Sequence, residues 1–453
     1  MIHSVAEAKK SALKGKIVFL RGSADVPMKD DLDIRDQKRI KDTSRIDSFL
    51  PTLEYLVKAG AKIVLQPGWI GRPEGVQKEF SVIPVYLYVR DKLRKKGLAK
   101  REVLLAPTEL DGKVASIANN FGMIKEKIAG LAEGQVLVLE NPRFDPEYNK
   151  GDESYARTLA GMVDVYVADD FAQRHRPAAD IVAMAKLVHE KYAGLHLMEE
   201  IRFIGNVTKE LEKGKRKPFV FILAGKKIET KPGVVSKITV ALKLLDRMGK
   251  GDSILVGGAV AYTFMVAEKY IDRVMAGPEQ VKKISEGDIR GIVGNSYVSW
   301  DQVHDQVMLA GRVMLKAKER GIKLVLPRDH VIASTEGTRV SADIPKTWAG
   351  VDIGPQTVRE FSEAVLSAGY VVMSGPVGMF DKNAKEAGNG SFALAKVLEQ
   401  ATKKGVVTIS AGGESTLLVN TAKVKISHAS IGGGSTLEFI EKGSLPGIDA
   451  LES

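Results

Sequence analysis

The stretch FVFILAGKKIETKPGV, from Phe219 to Val234, contains the pattern on which the architecture of the chain rests. Its first part, Phe219–Leu223, is apolar and mostly β-branched or aromatic, which predicts a short buried strand. A break at Gly225 and a run with three lysines follow, and the apolar spacing from Val234 to Leu245 predicts a helix. Such a unit can hold a polyanion, because backbone N–H groups, the positive helix end and ammonium groups face the loop. A βα turn whose lysines are merely solvated explains the same pattern, so the stretch alone leaves both interpretations open.

Composition limits the class of protein. At 453 residues the chain is too long for one ordinary core, which predicts two domains. Its hydrophobic fraction of 44% and charged fraction of 27% are typical of a globular, soluble protein. Its formal net charge of +11 favours anionic partners such as nucleotides or phosphorylated metabolites. Nucleic acid is the weaker option, because the basic residues are scattered and only 6% of residues are aromatic.

The sequence also excludes several classes by what it lacks. There is no cysteine, which rules out disulfides, thiolate metal sites and a cysteine nucleophile. No apolar run reaches the ~18 residues of a membrane span, and the short run Ile17–Leu20 before Arg21 is no signal-peptide core. We therefore expect a cytoplasmic enzyme or binding protein without a membrane or nucleic-acid partner. We expect a monomer, with a dimer as the alternative.

Apolar strand candidates alternate with helical periodicity along the whole chain. This alternation predicts a parallel sheet with crossover helices, which is a doubly wound α/β fold. The predicted strands are Ile17–Leu20, Lys62–Leu65, Val103–Ala106, Gln135–Leu139, Val163–Ala168, Phe219–Leu223, Ser253–Val256, Ile322–Leu326, Tyr370–Met373 and Val406–Ser410.

Polar motifs follow these strands directly, and ligands of open α/β sheets bind outside the carboxyl ends of the strands. The two halves therefore present different rims, the second rich in glycine with two lysines and a carboxylate. Lys191–Lys215 lacks strand character and predicts a helix plus linker that joins the halves. Met265–Ile292 is polar and irregular, which indicates a surface insertion. The rim of the first half is rich in arginine: Arg21, Arg45, Arg72, Arg143 and Arg176.

The five arginines suit a small substrate with phosphate and carboxylate groups, because a guanidinium binds both bidentately. One such arginine is usually a solvated surface residue, but five on one rim favour binding. Glu414 and Asp381 are the carboxylates best placed to meet a Mg²⁺-nucleotide and its ribose, with an N-cap role as the alternative. A kinase that acts on a carboxylate needs no general base, since that nucleophile has a pKa of about 4. Positioning and charge neutralisation then suffice.

These motifs, in this order, resemble the phosphoglycerate kinase family. The resemblance runs from about Ile17 to Ile448, which is nearly the whole chain. Its most specific pieces are Gly71–Pro73 (GRP), Glu140–Phe144 (ENPRF), His175–Arg176, Gly225–Lys231, Gly257–Phe264, Gly375–Phe380 (GPVGMF), Ile426–Gly434 (ISHASIGGG) and Leu445–Gly447 (LPG).

The resemblance implies two Rossmann-like, doubly wound parallel-sheet domains joined by a hinge helix. Residues 1–190 would form the substrate domain, completed by the C-terminal segment 432–453. Residues 191–215 would form the interdomain helix and linker, and 216–431 the nucleotide-binding domain. The implied reaction is reversible, Mg²⁺-dependent phosphoryl transfer between ATP and the carboxylate of 3-phosphoglycerate. It gives 1,3-bisphosphoglycerate and ADP, and it belongs to glycolysis and gluconeogenesis.

The resemblance also implies roles for single residues. Arg45 and Lys227 would neutralise the transferring phosphoryl group, and Glu414 would meet the metal. The implied substrate-binding residues are Ser23, Asp25, Arg45, Trp69, Arg72, Arg143 and Arg176. The implied nucleotide-binding residues are Gly225, Lys231 on the phosphates, Gly258, Leu326 beside the adenine, Ser374, Asp381 on the ribose, Gly412, Gly413, Glu414 and Ser415.

Some positions depart from the family pattern, mainly where the glycerate part of the substrate would lie. The family motif Arg-x-Asp-x-Asn-Val-Pro has Ser23 here at its acid and Asp25 at its amide. Trp69 stands where the family has histidine, and a site built around a substrate hydroxyl loses strongly when its partner is removed. One alternative is therefore a paralogous ATP-dependent kinase of a different anionic carboxylate. Another, motivated by Glu414 and Ile431, is a weakly catalytic nucleotide-binding protein.

Overall fold

The chain forms two compact units, which are described separately. One comprises Met1–Arg202 with Ser444–Ser453, and the other comprises Phe203–Gly443. The family resemblance implies that 432–453 completes the first domain, whereas 432–443 lie in the second unit. The computed structural model describes residues 1–99, 101–110, 113–213, 216–226, 236–380 and 389–452.

A six-stranded parallel sheet forms the centre of the first unit. Its strands are β1 (Ile17–Arg21), β2 (Lys62–Gln66), β3 (Leu104–Ala106), β4 (Val136–Leu139), β5 (Val165–Ala168) and β6 (Glu190–Ala193). The strand order is β3-β4-β2-β1-β5-β6, so the order reverses beside β1. Residues of β4 and β5 are buried on both faces of the pleat, which explains their continuous apolar sequences. The carboxyl ends of β1, β2, β4 and β5 meet at one edge.

Helices connect these strands. The α-helices are α1 (Lys10–Leu13), α2 (Ser44–Lys58), α3 (Ile83–Lys95), α4 (Phe121–Ala129), α5 (Pro146–Asn149), α6 (Glu153–Ala160), α7 (Met184–Leu187) and α8 (Leu195–Leu211). Short 3-10 helices lie at Val5–Glu7, Gln37–Arg39, Lys78–Phe80, Ala118–Asn120, Pro142–Phe144 and Phe171–Gln173, with a π-helix at Ala179–Ala183. The chain passes from the first unit to the second within α8.

The second unit contains a six-stranded parallel sheet and a three-stranded antiparallel one. The strands are β7 (Phe219–Leu223), β8 (Ser253–Val256), β9 (Lys323–Val325), β10 (His330–Ser334), β11 (Gly337–Ser341), β12 (Ala349–Ile353), β13 (Tyr370–Ser374), β14 (Val407–Ala411) and β15 (His428–Ser430). The parallel sheet has the order β15-β14-β13-β7-β8-β9, and the antiparallel sheet has the order β11-β10-β12. Two parallel α/β sheets confirm the predicted fold class.

The remaining helices follow in chain order. They are α9 (Lys237–Leu244), α10 (Gly258–Lys269), α11 (Ile271–Ala276), α12 (Pro278–Val281), α13 (Glu286–Val293), α14 (Val303–Glu319), α15 (Pro355–Ser367), α16 (Asn389–Lys403), α17 (Gly413–Ala422), α18 (Gly434–Lys442) and α19 (Pro446–Glu452), with a 3-10 helix at Trp300–Gln302. Arg247 Nη1 donates to Ile440 O at 2.9 Å, which ties α18 to the second unit. Among the described helices, none combines the length and apolar character that crossing a bilayer requires.

Two sequence-based predictions are wrong in detail. The segment from Lys191 was predicted to lack strand character, but β6 runs along the edge of the first sheet, where it pairs with β5 and forms a single further bridge from Ala193 to Ser4. A half-buried edge strand needs few apolar residues, so the sequence EKYA gave no strand signal. Met265–Ile292 is not irregular, because α11, α12 and α13 occupy most of it and bury Val274, Val281 and Ile289.

Candidate active site

Trp69 follows β2 and lies beneath a cation at the carboxyl edge of the first sheet. Its side chain is only 4% exposed. The Arg143 guanidinium lies 4.0 Å from the centroid of its ring, and the Arg21 guanidinium lies 5.3 Å from it. Tyr148 meets the same ring edge-on at 6.2 Å. A desolvated cation–π contact contributes ~0.5–2 kcal/mol, so Trp69 helps to fix the position of Arg143.

Arg143 is the centre of a group of cations. Its Nη1 donates to Gly71 O at 2.6 Å, which holds the guanidinium against the loop after β2. Burial lowers the pKa of Arg143, and the positive charges of Arg176 and Arg72 lower this pKa further, while Asp25 opposes them. Arg72 is exposed and Arg176 half-buried. Three of the predicted arginines are therefore close enough to interact electrostatically.

Arg45 joins this group through Asp25. Arg45 is the second residue of α2, and its Nη1 donates to Asp25 O at 2.6 Å. The same Nη1 lies 3.4 Å from the Asp25 carboxylate. Because Asp25 acts on both Arg45 and Arg143, these cations belong to one site. We call Arg45, Arg72, Arg143 and Arg176 the arginine cluster.

Buried polar groups hold the loops that carry the cluster. The Asn141 amide donates to the carbonyls of Ile70 and Phe80 at 2.9 Å each, which joins the loop after β4 to the loop after β2. The Glu140 carboxylate accepts from Val82 N and Asn141 N at 2.7 Å each. Burial raises the pKa of Glu140, and these donors act against that rise. The ENPRF motif thus supplies both Arg143 of the cluster and the residues Glu140 and Asn141 that hold its loop in place.

A ligand-sized space adjoins the arginine cluster. The cavity has a volume of about 350 Å³, which is at the lower end of the range for small-molecule sites. Its walls include Asp25 and Gly71, the residues that contact Arg45 and Arg143. The other lining residues are Val26, Pro27, Met28, Asp30, Ile70, Glu79 and Phe80.

Two polar residues of the first predicted motif are buried. Arg21 was predicted on the ligand-facing rim, and this is wrong, because its side chain is fully buried. Its Nε donates to Asp180 at 2.7 Å and its Nη1 lies 3.7 Å from Asp170. Burial alone would lower the pKa of Arg21, but these carboxylates outweigh it and raise the pKa. Ser23 is 1% exposed, and its Oγ has no hydrogen-bond partner among the described residues.

In the second unit, the carboxyl ends of β7, β8 and β13 meet through glycines. Gly375 N donates to Ser415 Oγ at 2.7 Å. Its φ of +98° favours glycine, and an added Cβ would overlap the carbonyl of Ala224, with the carbonyl carbon at 2.6 Å. An added Cβ on Gly258 would lie 2.6 Å from Gly225 N. The backbones of three loops therefore approach one another more closely than any side chain permits.

Lys237 places its ammonium group among these loops. Its Nζ donates to Ala224 O at 2.8 Å and to Ser374 O at 3.2 Å. An added Cβ on Gly375 would lie 2.7 Å from this Nζ. Lys237 is not among the predicted nucleotide-binding residues, because the apolar spacing predicts a helix that begins at Val234. The N-cap residue Ser236, which accepts from the backbone three residues ahead at 3.2 Å, was the available signal for a later start.

Two neighbouring strand-to-helix turns are built alike. β14 leads into α17 through Gly412, and β15 leads into α18 through Gly433. Gly412 N donates to Ser430 O at 2.9 Å, and an added Cβ on Gly412 would lie 3.2 Å from Gly433 Cα. Two helix N-termini thus lie side by side, which is a favourable arrangement for an anion. Buried hydroxyl pairs close both turns: Ser410–Thr416 at 3.1 Å and Ser430–Thr436 at 2.7 Å.

The other predicted nucleotide residues lie along the same edge or outside the described part. Glu414 is exposed in the first turn of α17, beside an open Gly413. An added Cβ on Gly225 would lie 3.5 Å from Glu414 Oε2. Leu326 is half-buried directly after β9, and Ser374 is buried at the end of β13. The predicted residues outside the described part are Lys227, Lys231 and Asp381.

Candidate metal ligands are few at this edge. Within the described residues, no three side chains of His, Asp or Glu come together as a metal-binding group. Mg²⁺ in nucleotide enzymes is usually held by one or two carboxylates together with substrate phosphates and water. An exposed Glu414 at the N-terminus of α17 fits such a partial site.

Comparisons with known proteins agree on one family. A family model described as phosphoglycerate kinase matches residues 8–443. The chain is 34% identical over 458 residues to the cytosolic phosphoglycerate kinase of Triticum aestivum, covering 99% of this chain and 98% of that protein. It is 34% identical over 449 residues to the phosphoglycerate kinase of Thermosipho africanus, covering 97% and 96%.

Solved structures show the same likeness. The structure of phosphoglycerate kinase from Coxiella burnetii matches with a TM-score of 0.71 at 25% identity, covering 100% of this chain and 99% of that chain. Phosphoglycerate kinase from Pyrococcus horikoshii matches with a TM-score of 0.73 at 21% identity, covering 100% and 98%, and this likeness concerns the fold.

Proposed function

Because the chain belongs to the phosphoglycerate kinase family, we propose that its arginine cluster binds 3-phosphoglycerate and that the glycine-lined edge of its second unit binds ATP. The reaction is phosphoryl transfer between ATP and the carboxylate of 3-phosphoglycerate, giving 1,3-bisphosphoglycerate and ADP. The protein is thus a phosphotransferase with a carboxyl acceptor that acts in glycolysis. The observation that carries the site assignment is that Arg143 interacts electrostatically with Arg72 and Arg176 and shares Asp25 with Arg45.

The electrostatics of the arginine cluster support an acidic substrate. The lowered pKa of Arg143 means that its charge is costly in the free protein, because burial and two neighbouring cations oppose it. A bound carboxylate or phosphate relieves this cost and accepts charge-assisted hydrogen bonds. Trp69 and Gly71 O fix the guanidinium of Arg143 beforehand, which reduces the ordering cost of binding. Arg45 is held by Asp25 until the substrate carboxylate replaces that contact.

The nucleotide site of the proposal is made mostly of backbone. The adjacent N-termini of α17 and α18 face the phosphates, and Lys237 supplies a positive charge beside Gly225 and Gly375. Leu326 lines the adenine slot, since it follows the strand at the far end of the same edge. Lys227 neutralises the transferring phosphoryl group, Lys231 contacts the phosphates and Asp381 the ribose.

Glu414 would hold Mg²⁺ at this site together with the nucleotide phosphates. When bound, the ion neutralises charge on the phosphate oxygens. No general base is needed, because the acceptor carboxylate is already ionised at neutral pH. The chain's own groups bind and orient the two substrates and neutralise the charge of the transferring phosphoryl group.

The wider setting is also part of the proposal. The first unit serves as the acceptor domain and the second as the nucleotide domain. We place the protein in the cytoplasm, as the cytosolic relative from Triticum aestivum suggests, although chloroplastic relatives also occur. We expect a monomer, which light scattering on a sizing column tests directly.

A coupled assay with 3-phosphoglycerate, ATP and Mg²⁺ tests the division of the site. The wild type should turn over within the ordinary range of ~1–10³ s⁻¹. Arg143→Met should raise the KM for 3-phosphoglycerate by roughly ten- to hundred-fold and leave the KM for ATP unchanged, because hydrogen bonds to charged groups contribute ~1.5–3 kcal/mol. Lys237→Met should raise the KM for ATP and leave the KM for 3-phosphoglycerate unchanged.

Arg35→Met is the matched control, since Arg35 is an exposed arginine of the first unit that pairs with Asp33 at 2.8 Å. It should leave both KM values as they are. The assignment fails if Arg143→Met changes the two KM values equally, or if Arg35→Met has the same effect as Arg143→Met.

A further inference from the structure

A fully buried ionic network lies below the arginine cluster. Its charged members are Arg21, Arg174, Asp170 and Asp180, which are all at most 1% exposed. Two positive and two negative side chains give the network no formal net charge. Burying such a set contributes little net stability compared with apolar residues of similar size, whereas removal of a single member is costly. A role in holding geometry therefore accounts for the network better than a role in stability.

Arg174 is the most heavily bonded member. Its Nε donates to Asp170 at 2.6 Å, and its Nη2 donates to Asp170 and to Tyr166 OH, the latter at 2.9 Å. Its Nη1 donates to Ile181 O at 3.2 Å and to Gly447 O at 3.1 Å. These bonds use the five N–H donors of a guanidinium. A lysine at this position has only three donors and no fork, so it cannot replace the set.

One side of the network reaches the arginine cluster. Asp170 binds Arg174 with one oxygen and faces Arg21 Nη1 with the other at 3.7 Å. Arg21 in turn lies 5.3 Å from the Trp69 ring, on which Arg143 packs. A contiguous path therefore leads from Arg174 to the central arginine of the cluster.

The other side of the network reaches the C-terminal helix. Gly447 N donates to Arg174 O at 3.0 Å, and Gly447 O accepts from the Arg174 side chain. Both the backbone and the guanidinium of Arg174 thus hold the start of α19. Arg176 N donates to Gln173 O at 3.0 Å in the same tight turn. This turn therefore carries Arg176, an arginine of the cluster, only two residues after Arg174.

We propose that Arg174 is a positioning residue for acceptor binding. It clamps α19 to the turn that carries Arg176, and through Asp170 and Arg21 it keeps the Trp69 platform and Arg143 in place. It does not touch the substrate. This inference rests on the proposed function, because the arginine cluster must be the acceptor site for the clamp to matter.

The decisive variant is Gly447→Ala, because it disturbs the clamp without removing a buried charge. An added Cβ at Gly447 would lie 2.8 Å from Arg174 Cδ and 2.7 Å from Ile181 Cγ2. Gly447 is the second residue of α19, and Gly122 is the second residue of α4. An added Cβ at Gly122 would meet nothing within 4 Å, so Gly122→Ala is the matched control.

Steady-state kinetics should separate positioning from general damage. Gly447→Ala should raise the KM for 3-phosphoglycerate by roughly ten-fold and leave the KM for ATP within about two-fold, because a displacement of about 1 Å in a binding group is costly. Arg174→Met should raise the same KM more, and Arg174→Lys should rescue only part of the loss. Gly122→Ala should match the wild type.

Tryptophan fluorescence gives an independent readout. The chain has three tryptophans, so Trp300→Phe combined with Trp348→Phe leaves Trp69 as the single probe. In this background Gly447→Ala should shift the Trp69 emission, and Gly122→Ala should not. Unshifted emission together with an unchanged acceptor KM would overturn the proposal. Equal changes in both KM values and in kcat would overturn it as well, since they indicate loss of structure. If Arg143→Met also leaves the acceptor KM unchanged, the proposed function has failed rather than the clamp.

Discussion

The carboxyl edges of the two sheets are built from different material. In the first unit the edge is made of long side chains, with Arg143 packed on Trp69 and Arg45 bound to Asp25. In the second unit it is made of backbone, with Gly375 and Gly258 in closer approach than a Cβ allows. The shape of the first edge is determined by its side chains, and the shape of the second by the absence of side chains at its glycines.

The difference determines how each edge tolerates sequence change. A side-chain site can exchange one group for another as long as the residues that hold it in place remain. A backbone site has no such freedom, because the N–H and C=O groups that would contact the ligand do not change with the residue type. We therefore expect substitutions at the first edge to weaken ligand binding in steps. Substitutions at the second edge should abolish ligand binding.

The largest effect should come from Gly375→Ala. The φ of +98° is unfavourable for alanine, and the new Cβ would overlap the Ala224 carbonyl, which cannot rotate away because it accepts from Lys237. We expect the second unit to lose roughly 3 kcal/mol or more of its free energy of unfolding. ATP affinity should fall by more than a hundred-fold. Unfolding followed by the fluorescence of Trp300 and Trp348 and ATP titration measure both quantities.

Gly291→Ala is the control for this substitution. Gly291 lies in α13 of the second unit, and an added Cβ would meet nothing within 4 Å. Alanine is favoured over glycine in a helix, so this variant should be at least as stable as the wild type. Normal ATP binding by Gly375→Ala would show that the second edge is not limited by backbone contact.

The sequence predicted the backbone edge well and the side-chain edge only in outline. Short apolar runs followed by glycine predicted β7 and β13 and the glycines at their carboxyl ends, because both the strand and the close approach follow from local residue types. The same local pattern predicted that Arg21, which follows the apolar run Ile17–Leu20, lies on the ligand-facing rim of the first unit. Its actual place depends on Asp170 and Asp180, which lie far along the chain, and no local pattern reveals that pairing.

Two further features, a half-exposed strand in the first unit and a lysine at a helix start in the second, were not predicted. Glu190–Ala193 forms a half-buried edge strand, so its composition carries no strand pattern. Lys237 was missed because the apolar spacing predicts a helix from Val234, whereas α9 has its N-cap at Ser236. The strand depends on its tertiary neighbours, whereas the later helix start had a local signal in the N-cap residue Ser236.

A second prediction concerns a buried acid of the backbone-built unit. The Asp352 carboxylate accepts from Gly390 N at 2.9 Å and from Ser391 N at 3.1 Å, which caps the start of α16. Burial raises its pKa to about 7 although these donors act against the rise. Because this pKa lies above the ordinary value of 3.8, the contribution to stability is fully present below about pH 4. It is lost as the pH rises through about 7, by up to roughly 4 kcal/mol.

Asp352→Asn removes this titration. The wild-type minus variant difference in urea midpoint, followed by Trp300 and Trp348 fluorescence, should decrease between pH 5 and pH 8. The exposed Asp272 of α11 supplies the control, and Asp272→Asn should show a constant difference over the same range. A constant difference for Asp352→Asn as well would mean that the backbone donors keep this acid ionised throughout.

The smallest effect should come from Asp25→Asn in the side-chain edge. This change removes the carboxylate 3.4 Å from Arg45 and leaves the hydrogen bond from Arg45 to the backbone carbonyl of residue 25. Partly exposed ion pairs contribute about 0–1 kcal/mol, so the KM for 3-phosphoglycerate should fall by no more than about five-fold. The gain should shrink as salt is added, because exposed charges are screened.

Asp33→Asn is the matched control, since Asp33 is an exposed acid of the first unit whose partner, Arg35, lies outside the cluster. It should leave the KM for 3-phosphoglycerate unchanged. A rise in this KM for Asp25→Asn would reverse the interpretation, because the acid at residue 25 would then contact the substrate instead of competing with it. The acid absent at Ser23 would in that case have been relocated two residues along the chain, and the first edge would keep its chemistry while changing its sequence.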